Sequence, residues 1–359
     1  MSARIVHVAS GREWRGGQRQ VWLLAQALGR TGTEQVVVTG AGTQLAQWLE
    51  SSRVPVRAVT WSAGVDPRVL PAILGELRHK PALLHAHDAH ALSLAGVCAL
   101  LTGAPLVVTR RVDFPLRRRG LWARADRVIA ISHAVAAVLI HGGIDPARIT
   151  VIHSGISPDS TSAATPLGIR DILHLPASAR VAVNVAALVP HKDHATLVRA
   201  AKLLEQRQPG LHWVVAGEGE RKNELEAQIR GSGLQGRVHL MGHINTPERL
   251  IADADVFVMS SQQEGLGTSV LDAMSLGIPI ASTTAGGLPE VLGDGAGMLV
   301  SPRDPAALAE AVARILDDAE VRAKLVARAR EAVLNFTDTK MADEVRSVYR
   351  SCAHSLDGS

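Results

Sequence analysis

Two acids frame the stretch of this chain best suited to chemistry. The run Glu264-Gly265-Leu266-Gly267-Thr268-Ser269-Val270-Leu271-Asp272 places one carboxylate before a glycine-bearing turn and the other inside the segment that follows. Gly265 and Gly267 have no Cβ, so the backbone can approach a ligand closely there. Thr268 and Ser269 are helix N-cap types, and Val270, Leu271, Met274 and Leu276 set an apolar stripe at helical spacing. Gly277 ends that helix, and Pro279-Ile280-Ala281 opens a strand. The unpaired N–H groups and positive dipole end of a helix start suit a phosphate. The two acids suit hydroxyls of a sugar or a ribose. A solvated helix face would also carry two acids, but the glycines between them and the strand behind favour a ligand site.

Other constellations leave more than one reading open. The loop Ser10–Gly17, ending in Gly16 and Gly17, lies between a strand at Arg4–Ala9 and a helix bearing Val21, Leu23, Leu24, Ala27 and Leu28. It is either an anion site at a helix start or a tight turn, and it lacks the G-x-G-x-x-G dinucleotide fingerprint. The run His85-Ala86-His87-Asp88-Ala89-His90 follows a strand end. A metal site, hydrogen bonding to a substrate and plain structural histidine all fit it, although the spacing matches no common zinc pattern. Lys192, beside His191, follows another strand end and can meet a pyrophosphate as a point charge, or sit on the surface. The same alternatives apply to Arg110, Arg111 and Asp113.

Those side chains need elements to position them. Strand-like apolar runs at Arg4–Ala9, Gln35–Thr39, Val54–Thr60, Leu83–Ala86, Leu106–Thr109, Val128–Ile131 and Thr150–His153 alternate with helical segments. A Ser/Thr/Pro/Ala-rich linker covers residues 157–165. The alternation then restarts with strands at Arg180–Ala186, Trp213–Ala216, Val238–Met241 and Val256–Ser260. Strand–helix alternation implies α/β, doubly wound parallel sheets with right-handed crossovers. At 359 residues the chain is long for one core, so two domains are expected, 1–160 and 161–336, with a final helical segment at 337–359.

Composition excludes several classes. Hydrophobic residues at 47% rule out a disordered chain. A formal charge of +4 suits an anionic ligand and falls far short of nucleic-acid-binding composition. Cys98 and Cys352 alone argue a reducing compartment without a disulfide framework, and the first residues show no signal peptide. The uncharged run 91–108 is broken by Gly103-Ala104-Pro105, so no transmembrane helix is expected. Arg117-Arg118-Arg119, flanked by Leu116, Leu121, Trp122, Arg124 and Arg127, is either a solvated basic loop or a surface for anionic lipid.

With these motifs assembled, the chain resembles the retaining GT-B glycosyltransferases of family 4 over nearly its whole length. The likeness rests on the Gly16-Gly17 loop, the HAHD strand end, Asp126–Ser132, the EGLG…LD run, Gly286-Gly287-Leu288-Pro289-Glu290 and Gly295–Val300. It implies two Rossmann-like domains with a cleft between them and a C-terminal helix crossing back to the first. It implies transfer of a sugar from a nucleotide diphosphate donor to a glycan or lipid-linked acceptor in cell-envelope polysaccharide synthesis. The setting would be cytoplasmic, with peripheral contact to an anionic membrane surface, no nucleic acid and no metal or other cofactor.

Carried over residue by residue, the resemblance gives catalytic roles to His87, Glu264 and Lys192. Donor binding falls to Gly16, Gly17, Lys192, Glu264, Gly265, Leu266, Gly267, Thr268 and Asp272, with phosphate or acceptor contacts from Arg110, Arg111 and His191. Three positions depart from the family pattern: Asp272 stands for a Glu, Ala187 for an Arg, and His153-Ser154-Gly155 for a Pro-Asn-Gly turn. A sugar-nucleotide epimerase on a similar fold and a catalytically lapsed sugar-nucleotide-binding protein are the rival interpretations.

Overall fold

The structure, a computed structural model, describes the chain apart from residues 1, 2, 63, 79, 80, 117, 118, 159, 160, 162 and 354–359. Arg117 and Arg118 of the basic segment, and residues 159, 160 and 162 of the linker, therefore lie outside the described residues. The chain divides into two compact units, Met1–Gly155 with Phe336–Ser359, and Ile156–Asn335.

In the first unit seven strands form one sheet: β1 (Arg4–Ala9), β2 (Gln35–Gly40), β3 (Val56–Val59), β4 (Ala82–Ala86), β5 (Leu106–Arg110), β6 (Arg127–Ala130) and β7 (Ile149–Val151). Their order is β3-β2-β1-β4-β5-β6-β7, and each described pairing is parallel. The central strands β2, β4 and β5 are buried at every residue, as expected where helices cover both sheet faces. The expected third strand is shorter than the Val54–Thr60 run: it spans Val56–Val59 at the sheet edge, with Arg57 and Ala58 exposed.

One core layer of this unit joins Leu23, Leu24, Ala27 and Leu28 of the helix Gly16–Arg30 to Met341, Val345, Val348 and Tyr349 of the helix Asp338–Ala353. The late helix is thus part of the first unit's core. Gln20 clasps the backbone at Gly155 from both sides, donating to its carbonyl at 2.7 Å and accepting its N–H at 3.0 Å.

The second unit holds six strands: β8 (Arg180–Val185), β9 (Leu211–Ala216), β10 (Val238–Gly242), β11 (Val256–Met259), β12 (Ile280–Thr283) and β13 (Met298–Val300). They run parallel in the order β10-β9-β8-β11-β12-β13. Strand β13 was not recognisable as a strand in the sequence: three half-buried residues after a glycine-rich turn give too short a pattern. Both sheets are doubly wound, and in each the order reverses beside its first strand, between β1 and β4 and between β8 and β11. Ligands gather at such a reversal in folds of this kind.

Gly155 is a test of this packing. A Cβ there would meet the Thr337 carbonyl oxygen at 2.5 Å and the Asp338 nitrogen at 2.6 Å, both backbone atoms that cannot rotate away. Gly155→Ala is expected to lower stability by about 1–3 kcal/mol. Thermal unfolding against the parent chain measures it, and an unchanged Tm would contradict the packing.

Candidate active site

The first unit's polar cluster sits at its strand-order reversal. His7 on β1 lies in register with His85 on β4, and His87 follows directly after β4. All three imidazoles are buried. His7 Nδ1 and His87 Nε2 are 3.0 Å apart, and the His85 and His87 ring centroids 4.1 Å. His85 is fixed on both sides, by the Tyr349 hydroxyl at 2.6 Å and the Thr109 hydroxyl at 2.7 Å. Asp88 caps the next helix through the Ala91 N–H at 2.9 Å and accepts the Ser10 N–H at 2.8 Å, tying the two loops together.

Sequence spacing put His90 in this group, whereas it stands exposed on the helix Ala89–Thr102, and His7 takes the third place. A histidine inside the otherwise apolar run of β1 was the available signal.

Burial holds these rings neutral. It lowers the His7 pKa to about 4 and carries those of His85 and His87 well below the ordinary imidazole value. His7, His85 and His87 offer nitrogens close enough together for a metal ion. The donor set fits one poorly, since His85 uses both nitrogens on Tyr349 and Thr109. In addition, a guanidinium nitrogen of Arg111 lies 3.4 Å from His87 Nδ1.

Arg111 also reaches the glycine loop. Its Cδ lies 3.6 Å from where a Gly17 Cβ would stand. Gly16 and Gly17 prove to be the first residues of the helix rather than the loop before it, and the side chain of the preceding Arg15 does not cap that end. Its first N–H groups therefore have no partner within the helix. The neighbouring Arg110 is engaged elsewhere: it donates to the Phe114 carbonyl, and its guanidinium carbon lies 5.2 Å above the Trp122 ring.

The second unit's cluster stands at the reversal between β8 and β11. Lys192, after β8, forms an ion pair with Glu264, after β11. Ser261 Oγ donates to the same Glu264 oxygen at 3.3 Å. His191 lies beside Lys192, and its carbonyl accepts the Gln262 N–H at 2.8 Å, fastening the two loops. The helix that follows, Thr268–Leu276, begins with Gly267 at φ 90° as its cap, so Thr268 and Ser269 are its first residues and not its caps. Ser269 instead donates to the Val185 carbonyl at 3.0 Å, holding the helix start against β8.

At Gly267 a side chain is excluded twice, by its left-handed φ and by Leu288 Cδ2, which would lie 2.7 Å from a Cβ. The Gly287 N–H donates to the Glu264 carbonyl at 2.9 Å, so the two glycine-bearing motifs of this half are one piece of structure. Gly265 is buried, as is the Leu266 side chain, leaving the backbone as what that residue can present. The Glu264 side chain is 11% exposed and Asp272 only 1%, so Glu264 is the more reachable acid. Ala187 lies where Gly217 closes on the backbone, a Gly217 Cβ standing 1.9 Å from the Ala186 carbonyl oxygen.

Two family models together account for most of the chain. Glycosyltransferase Family 4 matches residues 14–160 and Glycosyl transferases group 1 matches 169–332. The chain belongs to this glycosyltransferase family, has the GT-B fold, and is an enzyme of that class. It is similar to the lipopolysaccharide core biosynthesis glycosyltransferase LpsE of Rhizobium meliloti, 26% identical over 334 residues, spanning 92% of this chain and 94% of the relative. It is also similar to an Escherichia coli UDP-Gal:alpha-D-GlcNAc-diphosphoundecaprenol alpha-1,3-galactosyltransferase, 27% identical over 294 residues and 76% of each chain. Among solved structures, Anabaena Alr3699/HepE in complex with UDP-glucose matches with TM-score 0.86 at 22% identity, covering 97% of this chain and 99% of that one.

The buried histidines predict the acid response. His7 and His194 have folded pKa values near 4, below the 6.5 of the free side chain. The unfolded chain therefore binds more protons between those values, and stability present above pH 6.5 is lost as pH falls towards 4. Each unit of separation is worth about 1.4 kcal/mol per group. Thermal unfolding from pH 7.5 to 4.5 should show Tm falling below pH 6.5; a flat profile would contradict neutral burial.

Proposed function

We propose that this glycosyltransferase is a retaining enzyme that moves a hexose from a nucleoside diphosphate donor to a glycan or lipid-linked acceptor. The observation that carries it is the Lys192–Glu264 ion pair beside the Gly267 helix start. It puts a cation suited to the diphosphate next to an acid suited to sugar hydroxyls. The bond from the anomeric carbon to the departing phosphate breaks as the acceptor oxygen bonds on the same face, and the leaving phosphate takes the acceptor's proton. Lys192 and the amides of Gly265, Gly267 and Thr268 stabilise the developing charge electrostatically, in place of a metal. Asp272, buried and a methylene shorter than Glu, meets the ribose through a bridging water. In the first unit, Gly16, Gly17 and Arg111 suit an anionic, phosphate-bearing group, and in the second His191 supplements the charge missing at Ala187. UDP-glucose bound in the Anabaena structure supports a nucleotide-sugar donor.

The same proposal places the enzyme in cell-envelope polysaccharide or lipopolysaccharide synthesis, as the lipopolysaccharide and undecaprenol relatives support. Cys98 and Cys352, both buried and in no disulfide, suit a cytoplasmic setting. Among the described residues no helix is long and apolar enough to cross a membrane. Peripheral contact is supported by Leu100 and Leu101, 60% and 69% exposed on the helix Ala89–Thr102. Leu121 packs against Gly96, one turn earlier, bringing the exposed Arg119 and Arg124 to that side.

Two measurements check this reading. Lys192→Ala should reduce kcat by about 10²–10³-fold with the circular dichroism spectrum unchanged; turnover at the parent rate would mean the phosphates bind elsewhere. The protein should partition onto anionic vesicles more than neutral ones, and Leu100→Asp with Leu101→Asp should abolish the preference. Equal partitioning of the parent chain would remove the membrane surface.

A further inference from the structure

We infer that Gln35, His7 and His87 form a positioning relay of fixed direction whose working end is Arg111, held beside Gly17 to meet an anionic, phosphate-bearing group. The substrate class rests on the reading given under the proposed function; the relay itself rests on hydrogen-bond chemistry.

Every donor and acceptor in the relay follows from its ends. A guanidinium can only donate. Arg111 Nη2, 3.4 Å from His87 Nδ1, therefore requires that nitrogen to be bare. A neutral imidazole with a bare Nδ1 carries its proton on Nε2. His87 Nε2 is 3.0 Å from His7 Nδ1, which must then accept, so the His7 proton sits on Nε2. At the far end, the Gln35 amide nitrogen donates to the Ala25 carbonyl at 2.6 Å, which leaves Gln35 Oε1 as its acceptor.

His7 Nε2 and Gln35 Oε1 are both buried without a full hydrogen bond, and the Gln35 side chain raises the basicity of His7 against the effect of burial. The two atoms left over are a donor and an acceptor that answer each other. Reversing the direction would ask an arginine to accept, and protonating either ring would set N–H against N–H.

The relay reassigns His87. Both of its nitrogens are engaged, by Arg111 and by His7, and the ring is buried. It has no free atom to act as acid or base, so it is a positioning residue in this chain. Arg111 is the group with capacity left: its buried Nε has no hydrogen-bond partner among the described residues, and its side chain passes Gly17 at a helix start that Arg15 does not cap. Burial lowers its pKa to about 10, which keeps it cationic at neutral pH. His85, held by Tyr349 and Thr109, walls the relay without joining it.

The test combines a tautomer measurement with a binding cycle on the full chain. Long-range ¹H–¹⁵N correlation at pH 7.5 should report His87 as the Nε2–H tautomer. Inorganic pyrophosphate, titrated by calorimetry, should bind about tenfold more weakly to His7→Leu than to the parent, within the range of coupling through one network. The same substitution should cost nothing further in an Arg111→Gln background. His7→Asn, which returns an acceptor near the Nδ1 position, should restore both the tautomer and the affinity, and guards against a folding artefact in His7→Leu. An Nδ1–H His87 in the parent, or an equal loss from His7→Leu with and without Arg111, overturns the relay. A parent chain that ignores pyrophosphate while His87 keeps the Nε2–H tautomer would sink the phosphate-bearing substrate and the working end, but leave the positioning of His87 standing.

Discussion

A parallel strand can be followed only by a crossover that returns to the sheet's opposite end, and the fixed right hand of that crossover decides where this chain keeps its polar groups. In both sheets the winding reverses beside the first strand, β1 against β4 and β8 against β11. At those two reversals the loops leave in opposite directions and open room at the strands' carboxyl ends. His7, His87 and Asp88 stand at the first; Lys192 and Glu264 stand at the second. The remaining positions serve this arrangement. Gly217 lets two backbones close where a Cβ would collide, Gly267 takes a left-handed turn against the Leu288 side chain, and Ser269 anchors a helix start to β8.

The two clusters solve the problem of polar burial differently. In the second unit opposite charges face each other, and each of Lys192 and Glu264 remains partly exposed. Truncating either removes the opposite charge that its partner faces. In the first unit a core of neutral rings is built by desolvation, with Tyr349 and Thr109 satisfying His85. Neutral histidine carries one donor and one acceptor, so a chain of them can run in either sense, and Arg111, which can only donate, selects one of the two. The rings themselves stay uncharged, and the charge at their edge is the Arg111 guanidinium.

Much of this was legible in the residues. The apolar runs of β1, β2, β4 and β5 are buried strands whose length and composition announce themselves, and Gly277 ends its helix where its type says it should. Glu264 and Lys192 were readable as candidates because both follow strand ends. Their direct ion pair was not, since the pairing of β8 with β11 joins residues 72 positions apart. His7 escaped for a related reason: local spacing pointed to His90, while the register of β1 against β4 brings His7 to His85. The difference between Arg110 and Arg111 is also tertiary. Adjacent residues on an extended strand face opposite ways, and only packing says that one meets Trp122 and the other His87.

The helix Asp338–Ala353 gives the first unit a discontinuous core, because Met341, Val345, Val348 and Tyr349 fill a layer begun by the helix Gly16–Arg30. On the ribosome this sets an order of events. The second unit, Ile156–Asn335, is continuous and can close its own core as it emerges. The first unit, although made earlier, must wait with that layer open and His85 lacking its tyrosine until some three hundred further residues have followed the helix Gly16–Arg30. Until then the layer facing the helix Gly16–Arg30 has no partner from the late helix, so the half made first is the half finished last.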